Sequence, residues 1–520
     1  MNGSNIVIST AVAAGIEICF TNPGTTELPL LTAMDTVPEI RPVLGLTESV
    51  CTGAADGYAR MLRKPAMTLL HLGPGLANGI ANLHNARRAK SPVFNIIGEH
   101  ATWHRSADPP LAMDIQSLAC TVSDWQHTCE TVQTLSCDTV NAISAAMNGA
   151  VSTLIVPHDI LLKKCEGQKI DIPRPAFNPP DSKLIDKAAQ SFKKHKKIGI
   201  IMGGRALYEP GLLAGERIRT KTRCDLLSVT FPPCLDRGTG LPALRRIPYF
   251  PEKAIKLLSK YELLILADTP EPVAFFGYEG VCGNLIPKDL PRICFTGSSF
   301  DAVSALECLA DALNAPLRTF PNQEDGDGHI RPVMPSGQLT VQKAGAVLAA
   351  LQPERAIIVD EAITGSGPYV PLGATLPRHT YMTLTGGAIG FGIPCATGAA
   401  LACPDRPVIC FQADGSAMYS LQALWTQARE QLDVTTLICS NKSYKILQIE
   451  LARQKGGLQA NGLSEKIMAM SRLDRPALDW TKIAIGFGVS AVAVDNTQDM
   501  AEELEKALAE PGPHLIELTL

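Results

Sequence analysis

Short runs of consecutive apolar residues recur along the chain: KIGIIMGG from 197, ELLILAD from 262, RAIIVDE from 355, RPVICFQADG from 406 and TTLICSN from 435. Segments with helical spacing lie between them. A strand written in unbroken Val, Ile and Leu is apolar on both faces, as a parallel sheet covered by helices on both sides requires. The alternation predicts an α/β chain built from doubly wound parallel sheets. Two stretches break it, 163–183 with PRPAFNPPD and 314–338 with PNQEDGDGHIRPVMPSG. Proline, glycine and charge without periodicity mark linkers, so three domains are expected, at 1–165, 184–314 and 339–520.

Two other apolar stretches invite a membrane reading. The first, 6–14, could be the core of a secretory leader, but no Lys or Arg precedes Arg41, so the basic segment of a leader is missing. The second, 386–403, is almost uncharged, yet it is mostly Gly and Ala with Pro394 inside, which fits a buried helix packed on a sheet better than a span. At 520 residues, with 46% hydrophobic and 19% charged, the chain is an ordinary globular one and not a disordered one. Lys+Arg 47 against Asp+Glu 51 leaves −4, so there is no basic field for nucleic acid or an anionic membrane. Fifteen cysteines without a C-x-x-C pair speak against a disulfide framework or zinc ribbon and predict small buried hydrophobes in a reducing, cytoplasmic setting.

The chemistry concentrates at strand ends. The strand 406–412 runs into Ala413-Asp414-Gly415-Ser416 ahead of a helical stretch, 421–430. Backbone amides at such a turn suit a diphosphate, and Asp414 suits the Mg²⁺ that neutralises it. Twenty-seven residues after Asp414 a second strand, 434–439, ends before Asn441-Lys442-Ser443-Tyr444. Adjacent parallel strands would bring a carboxylate from Asp414, an amide oxygen from Asn441 and the carbonyl of Ser443 to one octahedral ion. Taken singly, each turn is ordinary turn composition.

Near the N-terminus an apolar strand is expected to end at Thr47-Glu48. A glutamate there is costly unless paired, or else opens a helix whose dipole favours it. A further strand ends at His71 before a Gly-Pro-Gly turn. The glycine turn at 203–205 is a weak dinucleotide signal. His100 and His104 would suit zinc only on a helix with a third ligand; otherwise they border a substrate entrance or bond to backbone.

Together, NPGTTELP, TESVCTGAADGYAR, LHLGPGLANG, TGGAIGFGIP and ADGSAMYSLQALWT resemble the thiamine diphosphate enzymes of the acetolactate synthase, benzoylformate decarboxylase and pyruvate oxidase superfamily. The resemblance covers nearly the whole chain and is nearest to acetolactate synthase large-subunit-like proteins. It implies pyrimidine-binding, central and diphosphate-binding domains in that order. Ala413 and Ser440 stand where the family's GDG…NN motif has Gly and Asn; both departures spare Asp414, Asn441 and Ser443.

The resemblance also implies roles. Glu48 matches the glutamate that bonds N1′ of the cofactor and promotes the tautomer that deprotonates the thiazolium. Ile389 matches the apolar wedge that bends the cofactor. Thr364, Ser366, Gly415, Ser416 and Tyr444 fall at cofactor-contacting positions, and Tyr444 with Glu450 follows the metal loop where relatives often carry a lid. His71 matches an active-site histidine of the benzoylformate decarboxylase branch, and Thr25 stands at that branch's serine. The branch's second histidine aligns with Tyr278, which would remove its usual proton relay.

The implied function is Mg²⁺- and thiamine diphosphate-dependent lyase or carboligase chemistry on 2-keto acids or aldehydes, acetolactate synthase-like. Two alternatives stand beside it: non-oxidative decarboxylation, and a non-catalytic or regulatory homologue. Retention of Glu48, Asp414 and Asn441 speaks against the last. FAD stays open, because acetolactate synthases hold it in the middle domain, benzoylformate decarboxylase does without it, and GGRALYEP fits both. A homodimer or homotetramer with sites at subunit interfaces is implied as well.

Overall fold

The computed structural model describes residues 1–166, 171–297, 299–317, 330–454 and 464–520; parts of both expected linkers, 167–170 and 318–329, lie outside the described residues. The chain divides into two units. One comprises Met1–Arg174, Arg331–Leu372 and Thr383–Leu520, the other Pro175–Ile330 and Gly373–Met382.

The first unit holds two parallel sheets. In one, the strand order is Arg41–Leu44, Ile18–Asn22, Ala66–Leu70, Val93–Glu99, Val151–Pro157, Trp125–Thr128. Its central strands are buried along their whole length, which is why they are written in contiguous apolar residues. In the other sheet, Ser490–Val494, His514–Thr519, Val434–Ser440, Val408–Ala413 and Ile357–Glu361 lie side by side, all parallel. The apolar N-terminal stretch is helix Gly3–Ala13, whose Ile6, Val7, Ile8 and Ala11 are in the core beneath the first sheet.

The stretch 386–403 yields helix Gly392–Ala402, which packs closely on helix Glu48–Leu62 as well as on its own sheet. Small residues make this approach possible: a Cβ on Gly53 would lie 2.7 Å from Cβ of Pro394, and a Cβ on Gly57 or Gly398 would run into the carbonyl oxygen of Cys395 or Ala54. Buried Arg60 fastens the same seam. It pairs with Asp56 at 2.6 Å, donates to the Thr383 carbonyl at 2.9 Å and lies over the Phe391 ring. Among the described residues no helix is long and apolar enough to cross a membrane.

The second unit carries one parallel sheet in the order Arg245–Arg246, Asp225–Ser228, Ile198–Met202, Leu263–Ala267, Arg292–Phe295, with separate apolar cores on its two faces. An antiparallel ladder between 235–237 and 379–381 departs from the all-parallel expectation. The cysteine expectation holds only in part. Eight are buried, but Cys120, Cys137, Cys282, Cys294 and Cys308 are exposed, because helix surfaces, a sheet edge and, for Cys282, a loop carry them outward.

Candidate active site

Three adjacent strands of the first unit, Ile357–Glu361, Val408–Ala413 and Val434–Ser440, end on the same side, and their C-terminal turns carry the predicted cofactor residues. This is where ligands meet open parallel sheets. Asp414 opens the one-turn helix Asp414–Ala417 and is buried. One carboxylate oxygen accepts from the Gly415 amide at 2.8 Å and the other from the Lys442 amide at 2.7 Å. The two halves of the motif, 28 residues apart, are thereby joined. Asn441 Oδ1 accepts from the amide of Ser443 at 2.9 Å and from its hydroxyl at 3.0 Å, and Lys442 between them is left-handed at φ 54°.

Burial pushes the Asp414 carboxyl above its ordinary range, and nearby Glu517 adds to the rise against the amide bonds that lower it. A buried carboxylate with a second carboxylate nearby is relieved by a cation, and the oxygen donors of Asp414, Asn441 and Ser443 are of the hard type that Mg²⁺ takes. A Cβ on Gly415 would strike the Tyr444 ring, so glycine lets that ring lie over the turn. Ser416 is buried and Thr364 half-buried. Ser366 is buried in the turn after Ile357–Glu361, where a Cβ on neighbouring Gly365 would sit 3.0 Å from Cys439 Sγ. Ile389 is half-buried in the loop before helix Gly392–Ala402. Helix Leu72–Ala89 holds that loop: His84 meets the carbonyl of Gly386 at 3.1 Å, Asn85 donates to Ala388 at 2.8 Å, and Asn82 donates to Gly390 at 3.3 Å and to Ser49 at 2.8 Å.

Glu48 does not end a strand. The strand stops at Leu44, Thr47 is extended, and Glu48 is the first residue of helix Glu48–Leu62. Its side chain is nevertheless buried, with Oε2 accepting from Asn78 at 3.1 Å and Oε1 facing Gly75. His71 follows its strand directly, as expected. The Gly-Pro-Gly sequence, however, forms the first turn of helix Leu72–Ala89, where proline costs no hydrogen bond.

The residue that the sequence did not single out is Glu27. Fully buried, its carboxylate is 2.7 Å from Nδ1 of His71, accepts from the Thr26 hydroxyl at 2.5 Å and from the Gly24 amide at 3.0 Å. The Thr26 hydroxyl also lies 3.2 Å from His71, whereas Thr25, the expected serine equivalent, is exposed. A charged residue in NPGTTELP immediately before an apolar helix was the available signal. Leu72, next to His71, is left-handed at φ 53°, a strained conformation for a side-chain-bearing residue.

The remaining sequence candidates lie elsewhere. His100 and His104 sit after a strand and in a turn, not on one helix, with ring centroids 5.8 Å apart. Among the described residues no three His, Cys, Asp or Glu form a metal-holding group. Glu450 is half-buried on helix Lys445–Gln454 and pairs with Arg453 at 3.2 Å. In the second unit Tyr278 is half-buried. There too, the amide of Arg205 at the 203–205 turn donates to Asp268 at 2.7 Å while the Arg205 guanidinium stacks on Phe177. One amide of the turn is thus taken by the chain's own carboxylate.

Sequence models place the chain in a class. Residues 1–120 match the thiamine pyrophosphate enzyme N-terminal TPP binding domain, and residues 367–518 match the C-terminal TPP binding domain. The chain belongs to the thiamine pyrophosphate enzymes. Among individual relatives, it is 44% identical over all of its length, and 99% of the other chain, to a Mycobacterium tuberculosis protein named "Putative acetolactate synthase large subunit IlvX". It is 26% identical to the benzoylformate decarboxylase of Pseudomonas aeruginosa, with 97% of this chain and 96% of that one covered. The fold is shared with the thiamine diphosphate-dependent 4-hydroxybenzoylformate decarboxylase of Rhodococcus jostii RHA1, at TM-score 0.84 and 23% identity, covering 100% and 99% of the two chains.

Proposed function

We propose that the protein is a Mg²⁺- and thiamine diphosphate-dependent enzyme that cleaves or joins C–C bonds next to the carbonyl of 2-keto acids, acetolactate synthase-like in its carboligation. The observation that carries this is the bond from Asp414 to the Lys442 amide, which brings both halves of the diphosphate motif to one point. In this proposal Asp414, Asn441 and the Ser443 carbonyl hold Mg²⁺ against the diphosphate. Residues 339–520 supply that half of the site, and residues 1–165 supply the half that meets the pyrimidine. When bound, thiamine diphosphate supplies a thiazolium that accepts the electron pair released as a 2-keto acid loses CO₂.

The chain's own residues do the rest. Glu48 holds a proton at its carboxyl for exchange with the aminopyrimidine ring. Glu27 holds Nδ1 of His71, so Nε2 is the ring atom that gives or takes a proton at substrate. Ile389 shapes the pocket wall. The Glu27–His71 pair also supports the second reading, non-oxidative decarboxylation. Flavin is not part of the proposal. A homodimer or homotetramer in the cytoplasm completes it. Exposed Leu28, Leu46, Leu111, Met113 and Trp103, the last 75% exposed, are side chains that a second copy would cover.

The test is Glu48→Gln. The amide keeps size and hydrogen bonding but cannot cycle a proton, so cofactor should bind while exchange of its C2 proton and turnover of pyruvate or benzoylformate fall on the order of 10²–10⁴-fold. Wild-type exchange in that variant would remove Glu48 from the mechanism. Failure of the wild type to bind thiamine diphosphate with Mg²⁺ would overturn the whole assignment.

A further inference from the structure

One buried carboxylate joins two elements of the proposed site that are far apart in sequence. Glu361 ends its strand and is almost fully buried. Oε1 accepts from the Gly390 amide at 2.7 Å, and Oε2 accepts from the Gly392 amide at 2.6 Å and from Gln412 Nε2 at 3.0 Å. Gln412, itself buried, also donates to the Ser416 hydroxyl at 3.1 Å. The loop that carries Ile389 is thus tied through Glu361 and Gln412 to the turn that carries Asp414.

The surrounding backbone is shaped to allow this. Gly390 is left-handed at φ 96°, and a Cβ on Gly392 would run into Gln412. Two residues after Glu361, Ile363 sits at φ 53°, which for a β-branched side chain is a true outlier. Strain of this kind persists only where neighbouring contacts over-determine it.

We propose that Glu361 is a positioning residue that fixes the Ile389 loop at one height above the Asp414–Ser416 turn, so that the bend of the cofactor is set by the protein before substrate arrives. This rests on the roles proposed above for Ile389 and Asp414. Asp414 and Asn441 hold the diphosphate without Glu361; the carboxylate acts only on where the wedge stands relative to it. Loss of Glu361 therefore separates binding from activation.

The experiment uses full-length Glu361→Gln with thiamine diphosphate and Mg²⁺, measuring thermal unfolding, cofactor affinity by calorimetry and C2-proton exchange per bound cofactor. Expected are an affinity within about threefold of wild type and exchange slowed on the order of 10²-fold, the scale that a 1 Å misplacement costs. A merely structural residue would lower the unfolding temperature and leave exchange per bound cofactor unchanged, and that result overturns the proposal. Gln412→Met is the second variant. It leaves the carboxylate on the loop amides and removes the Gln412 bonds to Glu361 and to Ser416, the path from the loop to the turn, so exchange should slow by a smaller factor. If Glu361→Gln fails to fold, wild-type exchange in Gln412→Met overturns the proposal by itself. A wild-type protein that binds no cofactor would instead fail the function proposed above, and is recognised before any variant is compared.

Discussion

Replacing Gly53 by alanine adds one methyl group at the seam between helices Glu48–Leu62 and Gly392–Ala402, and its cost follows from the geometry. The new Cβ would stand 2.7 Å from Cβ of Pro394 and 2.8 Å from Nδ2 of Asn82. Ordinary carbon–carbon contact is about 3.5–4.0 Å, so the helices must part by roughly 1 Å. A proline ring has no alternative rotamer with which to yield. A gap of that size forfeits about a quarter to a half of the dispersion energy along the contact, and overpacking of this kind costs about 1–3 kcal/mol. Alanine's better helix propensity returns only about 0.5–1 kcal/mol. The net expectation is a loss of about 1 kcal/mol, within roughly 0–2.5 kcal/mol, by denaturant unfolding. Asn82, displaced, should also release its bonds to Ser49 and Gly390, loosening the loop before helix Gly392–Ala402. Gly486 is the control. It ends helix Trp480–Gly486 with open space around it, so alanine there should stabilise by a few tenths of a kcal/mol or more. Should both substitutions shift stability in the same direction and by the same amount, the close helix contact is wrong.

Other substitutions probe the site itself. Asp414→Ala and Asn441→Ala should each abolish Mg²⁺-dependent cofactor retention, since each removes an oxygen donor; undiminished affinity in calorimetry would withdraw the metal assignment. Glu27→Gln leaves hydrogen-bond donors facing an amide NH₂, so about 1.5–3 kcal/mol of stability should be lost, and kcat should fall more than KM rises as His71 loses its anchor. Unchanged kcat in a folded Glu27→Gln enzyme would show that His71 needs no anchor. Burial pushes the Glu361 carboxyl up from 4.5 to about 7, against the amides that lower it. A carboxyl that is raised on folding stabilises fully below its unfolded value, and that contribution, about 3 kcal/mol, is lost as pH rises through about 7. The stability difference between cofactor-free wild type and Glu361→Gln should therefore shift against the wild type between pH 4.5 and about 8. A difference independent of pH would refute a buried, titrating carboxyl.

What could be read along the chain and what could not divide on a physical line. Runs such as IGIIM and VICFQ are apolar because both faces of a parallel strand are covered, so the residues themselves state the burial and the sheets follow. Asp414 and Asn441 were legible for a similar reason: each sits within a residue or two of a strand end, and adjacent parallel strands bring their ends together. Glu48 was half legible. Its neighbours marked it as a costly position, but whether it closed a strand or opened a helix depended on where pairing with Ile18–Asn22 stopped.

Tertiary structure decided the rest. Nothing near residue 27 names residue 71 as its partner, and a 3₁₀ turn decided that Thr26 and not Thr25 faces the histidine. Glu361 meets amides 29 and 31 residues away, and Gly53 meets Pro394 from the other end of the chain. Local sequence specifies φ, ψ and apolar faces, because those energies come from neighbouring residues. Which faces meet, and which buried charge finds which donor, is settled only by the packing of the whole unit, where an unpaired buried polar group is too costly to survive.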